Sequence, residues 1–227
     1  MLRNTRLPHD ASLTTPAPLL RHPWLPLVLG SAGILSTVSL GMLLVVAGRG
    51  PTALDGLWHD LMLDWRTEPW VAVATWFDSA GGVGAMVVVG LFLTVSLLIM
   101  RRPWSALALA TAMICAEAAT ATIKVLVARP RPTDSLADTG LTSFPSGHTT
   151  IAATTAVMLT FLIGRRFWLV AVTWITMVAW SRTYLEAHWL TDVVAGAVLG
   201  TSIAVVVWWA VRRARSSTLV RRRSGAT

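Results

Sequence analysis

Long uncharged runs alternate with short polar joints along the chain. Six runs, at approximately 26–47, 80–100, 104–127, 148–164, 167–182 and 189–211, predict helices. Each is near the roughly 20 apolar residues needed to cross the hydrocarbon of a bilayer. The fourth and fifth are the shortest. Residues 1–22 carry Pro, Thr and Arg without periodicity and read as a disordered cytoplasmic tail. Residues 23–212 read as one six-helix membrane domain, and 213–227 as a basic cytoplasmic tail. No small-residue cleavage site accompanies the first run, which therefore reads as a retained helix rather than a signal peptide.

The joint at 51–79 is long and patterned. Leu54, Leu57, Trp58, Leu61, Met62 and Trp65 recur at helical spacing, with Asp55, His59, Asp60 and Asp64 on the other side. That predicts an interfacial amphipathic helix after the first span, lying among lipid headgroups. A tether over the bundle is the plain reading, and a lid or lipid-entry element the sharper one. His59 reads as a solvated surface residue.

Composition agrees with the spans. The chain is 54% hydrophobic with a mean hydropathy of +0.62, and only 13% of its residues are charged, against about a quarter in a soluble domain. The fold class is all-α, a polytopic membrane bundle. A net charge of +8 raises nucleic acid as a partner. The arginines, however, sit in short clusters between apolar runs, which is how membrane topology is written, so no nucleic acid partner is expected. With the N-terminus inside, 13 basic residues fall on the cytoplasmic side and 6 outside. The positive-inside rule then places both termini in the cytoplasm. The heavy use of arginine points to a bacterial inner membrane. Cys115 is the lone cysteine and reads as an inert packing residue. No Cys/His cluster with metal-ligand spacing occurs, so neither metal nor cofactor is expected.

Three polar clusters interrupt the hydrocarbon. Lys124, the only lysine, ends the third run and is followed by Arg129-Pro130-Arg131-Pro132. Pro145-Ser146-Gly147-His148 opens the fourth. Ser181-Arg182 ends the fifth, and His188 and Asp192 start the sixth. On the topology above, all three lie at the outer face. Lys124, Arg131 and Arg182 supply cations for phosphate oxygens, whereas Arg129 reads as a residue snorkelling to headgroups. Ser146 is placed to cap the helix, Gly147 lets backbone approach a ligand, and the free N–H groups of a helix start attract anions. His148 is then placed to protonate a leaving oxygen. His188 and Asp192 are four apart and share a helical face, so the carboxylate can hold one imidazole nitrogen while the other attacks. Glu117, seven residues before Lys124, is an ionisable group at membrane depth and a functional candidate by default. Glu186 stands two residues before His188 and either tunes it or faces water.

The full pattern, K-x6-R-P, then P-S-G-H, then S-R-x5-H-x3-D, resembles the three signatures of the type 2 phosphatidic acid phosphatase superfamily. Lys124, Arg131, Pro132, Pro145, Ser146, Gly147, His148, Ser181, Arg182, His188 and Asp192 meet every fixed position in order. The resemblance implies a metal-independent membrane phosphatase in which His188 attacks phosphorus and Asp192 orients it. His148 protonates the leaving group, and Lys124, Arg131, Ser146, Gly147 and Arg182 hold the phosphoryl oxygens. The implied partners are membrane lipids and a lipid phosphate: phosphatidic acid, phosphatidylglycerol phosphate or a polyprenyl pyrophosphate. Two other readings share the pocket. One is vanadate-dependent haloperoxidase chemistry, and the other is a lipid transport protein that has kept a phosphate site.

Overall fold

The computed structural model describes residues 22–137 and 140–224, with side chains as far as 218. The N-terminal tail expected at 1–22 and the end of the basic tail therefore lie almost wholly outside the described residues. Eight α-helices follow in order: α1 Leu25–Val46, α2 Ala53–Asp64, α3 Glu68–Ala80, α4 Val83–Ile99, α5 Pro103–Val127, α6 Gly147–Ile163, α7 Trp168–Tyr184 and α8 Leu190–Ser224. No strand occurs among the described residues.

Proline sits in the first turn of α1, α3 and α5, where its missing N–H costs nothing and its fixed φ suits the helix. Helix α5 stops at Ala128, which adopts a left-handed conformation with φ +47°, and Pro130 then prevents helix from resuming. By length and apolarity three helices can cross a membrane: α1, α5 and α8 through Thr218. A fourth candidate is the pair α3 and α4, bent by 46° at Gly81-Gly82. Helix α6 is apolar but has only 17 residues. The bundle is an integral membrane fold, and the exposed side chains agree. Leu35, Leu43, Val88, Phe92, Ile114, Val125 and Leu169 all face outward. Cys115 is exposed as well, so it does not pack inside.

Helix α6 is the buried centre, with all but His148 and Leu159 inaccessible between Gly147 and Leu162. Its residues are small: alanines and threonines whose hydroxyls bond back one turn, Thr150 to Ser146, Thr154 to Thr150 and Thr155 to Ile151. Such residues satisfy themselves and let neighbouring backbones come close. Helix α8 uses this with Gly196 and Gly200. A Cβ added at Gly200 would lie 2.2 Å from the Thr150 carbonyl oxygen. The same approach lets Thr154 donate to the Gly200 carbonyl at 3.2 Å and the Ser146 N–H donate to the Asp192 carbonyl at 3.0 Å. Two glycines thus register the start of α6 against the start of α8. Gly200→Val is expected to destabilise the protein by about 2–3 kcal/mol through overpacking, read as a lower melting temperature in detergent. Gly84→Ala, with nothing within 4 Å of the new carbon, serves as the neutral control.

The 51–79 segment is two helices rather than one. The capping box of Thr52 and Asp55 starts α2. The connection to α3 is fastened by Tyr184, whose hydroxyl donates to the Trp65 carbonyl at 2.8 Å and accepts from the Thr67 N–H at 3.0 Å. Helix α2 divides its apolar stripe: Met62 is buried with Trp58 and Leu61 packed against its cluster, and the rest of the stripe points away from the bundle. Asp55 is buried, while Leu54, Leu57 and Trp65 are exposed. Asp60 and Asp64 are exposed, and Asp55 is the carboxylate of α2 that turns inward, where it meets the buried charge of Arg129.

Candidate active site

The motif residues converge at one end of the bundle: the C-terminal ends of α5 and α7, the N-terminal ends of α6 and α8, and the loops beside them. His188, in the α7–α8 loop, is almost fully buried. Its Nδ1 faces the Asp192 carboxylate at 3.5 Å and its Nε2 stands 3.0 Å from an Nη of Arg131. With the proton on Nδ1, toward the carboxylate, the lone pair is on Nε2, toward the cations. Burial, then the charges of Arg182, Arg131 and Lys124, push the His188 pKa well below 6.5. The imidazole is therefore neutral at neutral pH, the form a nucleophile needs.

Two of the three cations are held by backbone carbonyls. Lys124 Nζ donates to the Thr142 carbonyl at 2.9 Å. Arg131 donates to the carbonyls of Gly140 and Ala187. Arg182 is buried at the end of α7. Ser146 occupies the N-cap position of α6 but caps no N–H; its hydroxyl oxygen accepts from Thr149 at 3.1 Å. The first amides of α6, from Gly147 on, have no helical carbonyl partners. His148 is partly exposed, and close enough to His188 to act on it electrostatically. Ser181 is turned away, donating to the Val178 carbonyl at 2.8 Å. Glu117 is half-buried on α5 and acts on Lys124 through charge alone. Among the described residues no group of three His, Cys, Asp or Glu side chains is placed to hold a metal.

Three residues join the cluster unannounced by any motif. Arg129 does not snorkel: it is fully buried, ion-paired to Asp192 and Asp55. A partial signal for Asp55 was the Thr52-x-x-Asp55 capping pattern. The third is Asp78, at the end of α3. One of its oxygens pairs with Arg182 and lies 3.5 Å from His148 Nε2. Its only sequence mark is a lone carboxylate before Gly81-Gly82. This carboxylate thus holds the guanidinium that the sequence pattern assigns to phosphate. Asp78→Asn is expected to tighten inhibition by inorganic phosphate about tenfold, because a like charge roughly 4 Å away costs about 4 kcal/mol at an effective dielectric near 20 before screening. Inhibition constants for the two proteins check this.

His59 is not a free surface residue either. It stands between Glu186 and Asp134, and Arg66 approaches the other Glu186 oxygen at 3.3 Å. Burial raises the Glu186 pKa to about 7 against the opposing charges of His59 and Arg66. This cluster ties α2 to the loop that carries His188.

Residues 105–216 match the PAP2 superfamily, and all eight of the site residues expected from the sequence lie inside that stretch. Over it, the chain belongs to the PAP2 superfamily. It is 37% identical over 75 residues to an undecaprenyl-diphosphatase of Sulfolobus acidocaldarius, covering 33% of each chain. It is 36% identical over 74 residues to a putative undecaprenyl-diphosphatase of Escherichia coli, covering 30% of this chain and 36% of that one. The matched part spans about a third of these curated relatives. The fold is similar to the PAP2-type phosphatidylglycerolphosphate phosphatase of Bacillus subtilis, with TM-score 0.69, 21% identity, and coverage of 78% of this chain and 93% of that one. It is also similar to Aquifex aeolicus LpxE, with TM-score 0.61, 23% identity, and coverage of 69% and 95%.

Proposed function

We propose that this membrane protein is a lipid phosphatase that hydrolyses a phosphate monoester or diphosphate through a phosphohistidine on His188. The observation that carries the reading is the two-sided setting of that imidazole, with Asp192 at Nδ1 and Arg131 at Nε2. Asp192 holds the tautomer, and Nε2 attacks phosphorus as the bond to the leaving oxygen breaks. His148 delivers a proton to that oxygen, then takes one from the water that frees His188 and releases phosphate. Lys124, Arg131, Arg182, Ser146 and the α6 amides from Gly147 on bind the phosphoryl oxygens and stabilise the charge that develops on them. No metal or cofactor takes part in these steps.

The arrangement spans six segments, with α3–α4 as one bent crossing and α6 and α7 as short ones. Both termini lie in the cytoplasm, the site opens on the outer face of a bacterial inner membrane, and α2 lies in the headgroup layer. The excess of basic residues on the other side supports this orientation. A polyprenyl diphosphate is the favoured substrate, because two relatives above 35% identity carry that activity in their names. Phosphatidylglycerol phosphate and phosphatidic acid are the alternatives.

The test is phosphate release by the purified protein in detergent with EDTA, offering all three lipids in parallel and using His188→Ala as control. Release that survives EDTA and vanishes in the variant supports the mechanism, and the fastest lipid identifies the substrate class. A folded protein that releases phosphate from none of them overturns the assignment.

A further inference from the structure

Arg129 and Arg131 flank Pro130 in the turn that follows α5, yet their side chains reach different partners. Arg131 reaches the attacking face of His188. Arg129 reaches behind it and is wholly buried. One Nη of Arg129 donates to Asp192 Oδ1 at 2.6 Å and to Thr191 Oγ1 at 2.8 Å. The other donates to Asp55 Oδ2 at 2.7 Å and to the Gly50 carbonyl at 3.0 Å. Both terminal nitrogens are thus engaged, and the fork has no pair of N–H groups left for phosphate. Asp55 also accepts from the Thr191 N–H at 2.8 Å and the Thr191 hydroxyl at 3.0 Å. The backbone immediately before Asp192 is therefore pinned to α2.

We infer that Arg129, clamped by Asp55, is a positioning residue for Asp192 and through it for His188, which rests on the histidine mechanism proposed above. Asp192 meets Arg129 with Oδ1, and with Oδ2 it accepts from the Trp189 N–H at 3.0 Å and faces His188. Lys124, Arg131 and Ser143 act on the same carboxylate from α5 and the following loop. Arg129 is its one direct ion-pair partner of fixed charge among the described residues. A buried carboxylate stripped of its cation takes up a proton. Protonated Asp192 would no longer accept from Nδ1, and His188 would lose its fixed tautomer. Asp55 keeps its own charge: burial pulls its pKa upward, but bonds from Thr191, Arg129 and Thr52 hold it below 3.8. The segment between the first span and the bundle thus has a chemical task. It supplies the second carboxylate that aims the guanidinium.

The experiment uses the full chain in detergent with farnesyl diphosphate as probe, comparing Arg129→Lys, Asp55→Asn, Asp192→Asn and the double variants with Asp55→Asn. Arg129→Lys is expected to lower kcat roughly 10–100-fold, as loss of an orienting partner does, with KM within about threefold. The acid limb of its pH profile moves to higher pH, because an ammonium cannot bridge both carboxylates as the guanidinium does and leaves Asp192 easier to protonate. Asp55→Asn loses less, and adds nothing to either Arg129→Lys or Asp192→Asn, because the three act in series. A raised KM at unchanged kcat would make Arg129 a phosphate ligand and overturn the inference. So would a lowered melting temperature with an unmoved pH profile. If Arg129→Lys does not fold, the cycle of Asp55→Asn with Asp192→Asn decides: coupled losses support the inference and additive losses overturn it. His188→Ala separates the two levels. If it retains activity the histidine mechanism itself fails, whereas an inactive His188→Ala beside a fully active Arg129→Lys sinks this inference alone.

Discussion

His188→Ala is expected to abolish turnover while leaving the bundle folded. Removing a nucleophile from a comparable constellation costs on the order of a million-fold in kcat, so no phosphate release above background should remain. The nearby cations lose no partner they need. Lys124 and Arg131 are anchored on carbonyls at Thr142, Gly140 and Ala187, and Arg182 on Asp78. Substrate analogues should therefore still bind, and the melting temperature should stay within a few degrees of wild type. The decisive readout is covalent. Labelled phosphate should be trapped on the wild-type chain by alkaline quench, since a phosphorus–nitrogen bond is acid-labile, and not on the variant. A trapped phosphoenzyme that persists in His188→Ala would move the nucleophile elsewhere.

His148→Gln is expected to separate the two halves of the reaction. A lipid alkoxide or phosphate must be protonated as it leaves, and a positioned general acid contributes about 10²–10⁴-fold. Hydrolysis of the lipid should fall by about a thousandfold within that range. A nitrophenyl phosphate has a leaving group stable without a proton, so its first step should survive. The second step still lacks the base that activates water. The variant should therefore release nitrophenol in a stoichiometric burst and accumulate the phosphohistidine. Equal losses on both substrates with no burst would assign His148 to phosphate binding instead. The histidine is well placed for the acid role: it is the partly exposed member of the pair, at the first turn of α6, while His188 is sealed.

Much of the site was legible because its residues contradict their surroundings. A lysine, a proline-stiffened turn and two histidines have no packing reason to sit at the ends of apolar helices, and their types alone indicate phosphate chemistry. Arg129 misled for the same reason. By composition a cation at a helix end beside Arg131 and two prolines snorkels as readily as it binds, and only the arrival of Asp55 from α2, 74 positions earlier in the chain, turns it inward. Asp78 carried no motif at all. It joins the cluster because α3 and α4 bend at Gly81-Gly82, where an added Cβ at Gly82 would already lie 3.4 Å from His148 Nε2. The hydrophobic stripe on α2 is divided, with Met62, Trp58 and Leu61 against the bundle and Leu54, Leu57 and Trp65 exposed, a partition that helical spacing alone does not specify.

The sequence by itself determined the all-helical class, the membrane as the solvent of the helices and the residue types suited to a phosphate. These follow from local quantities: apolar length, proline and glycine placement, and charge at helix ends. Only the tertiary structure decided which charges gather around His188 and which pair with one another behind it. That choice depends on partners far apart in the chain, brought within hydrogen-bond distance by the close α6–α8 contact at Gly196 and Gly200 and by the docking of α2. In a buried, low-dielectric site those pairings outweigh any local preference.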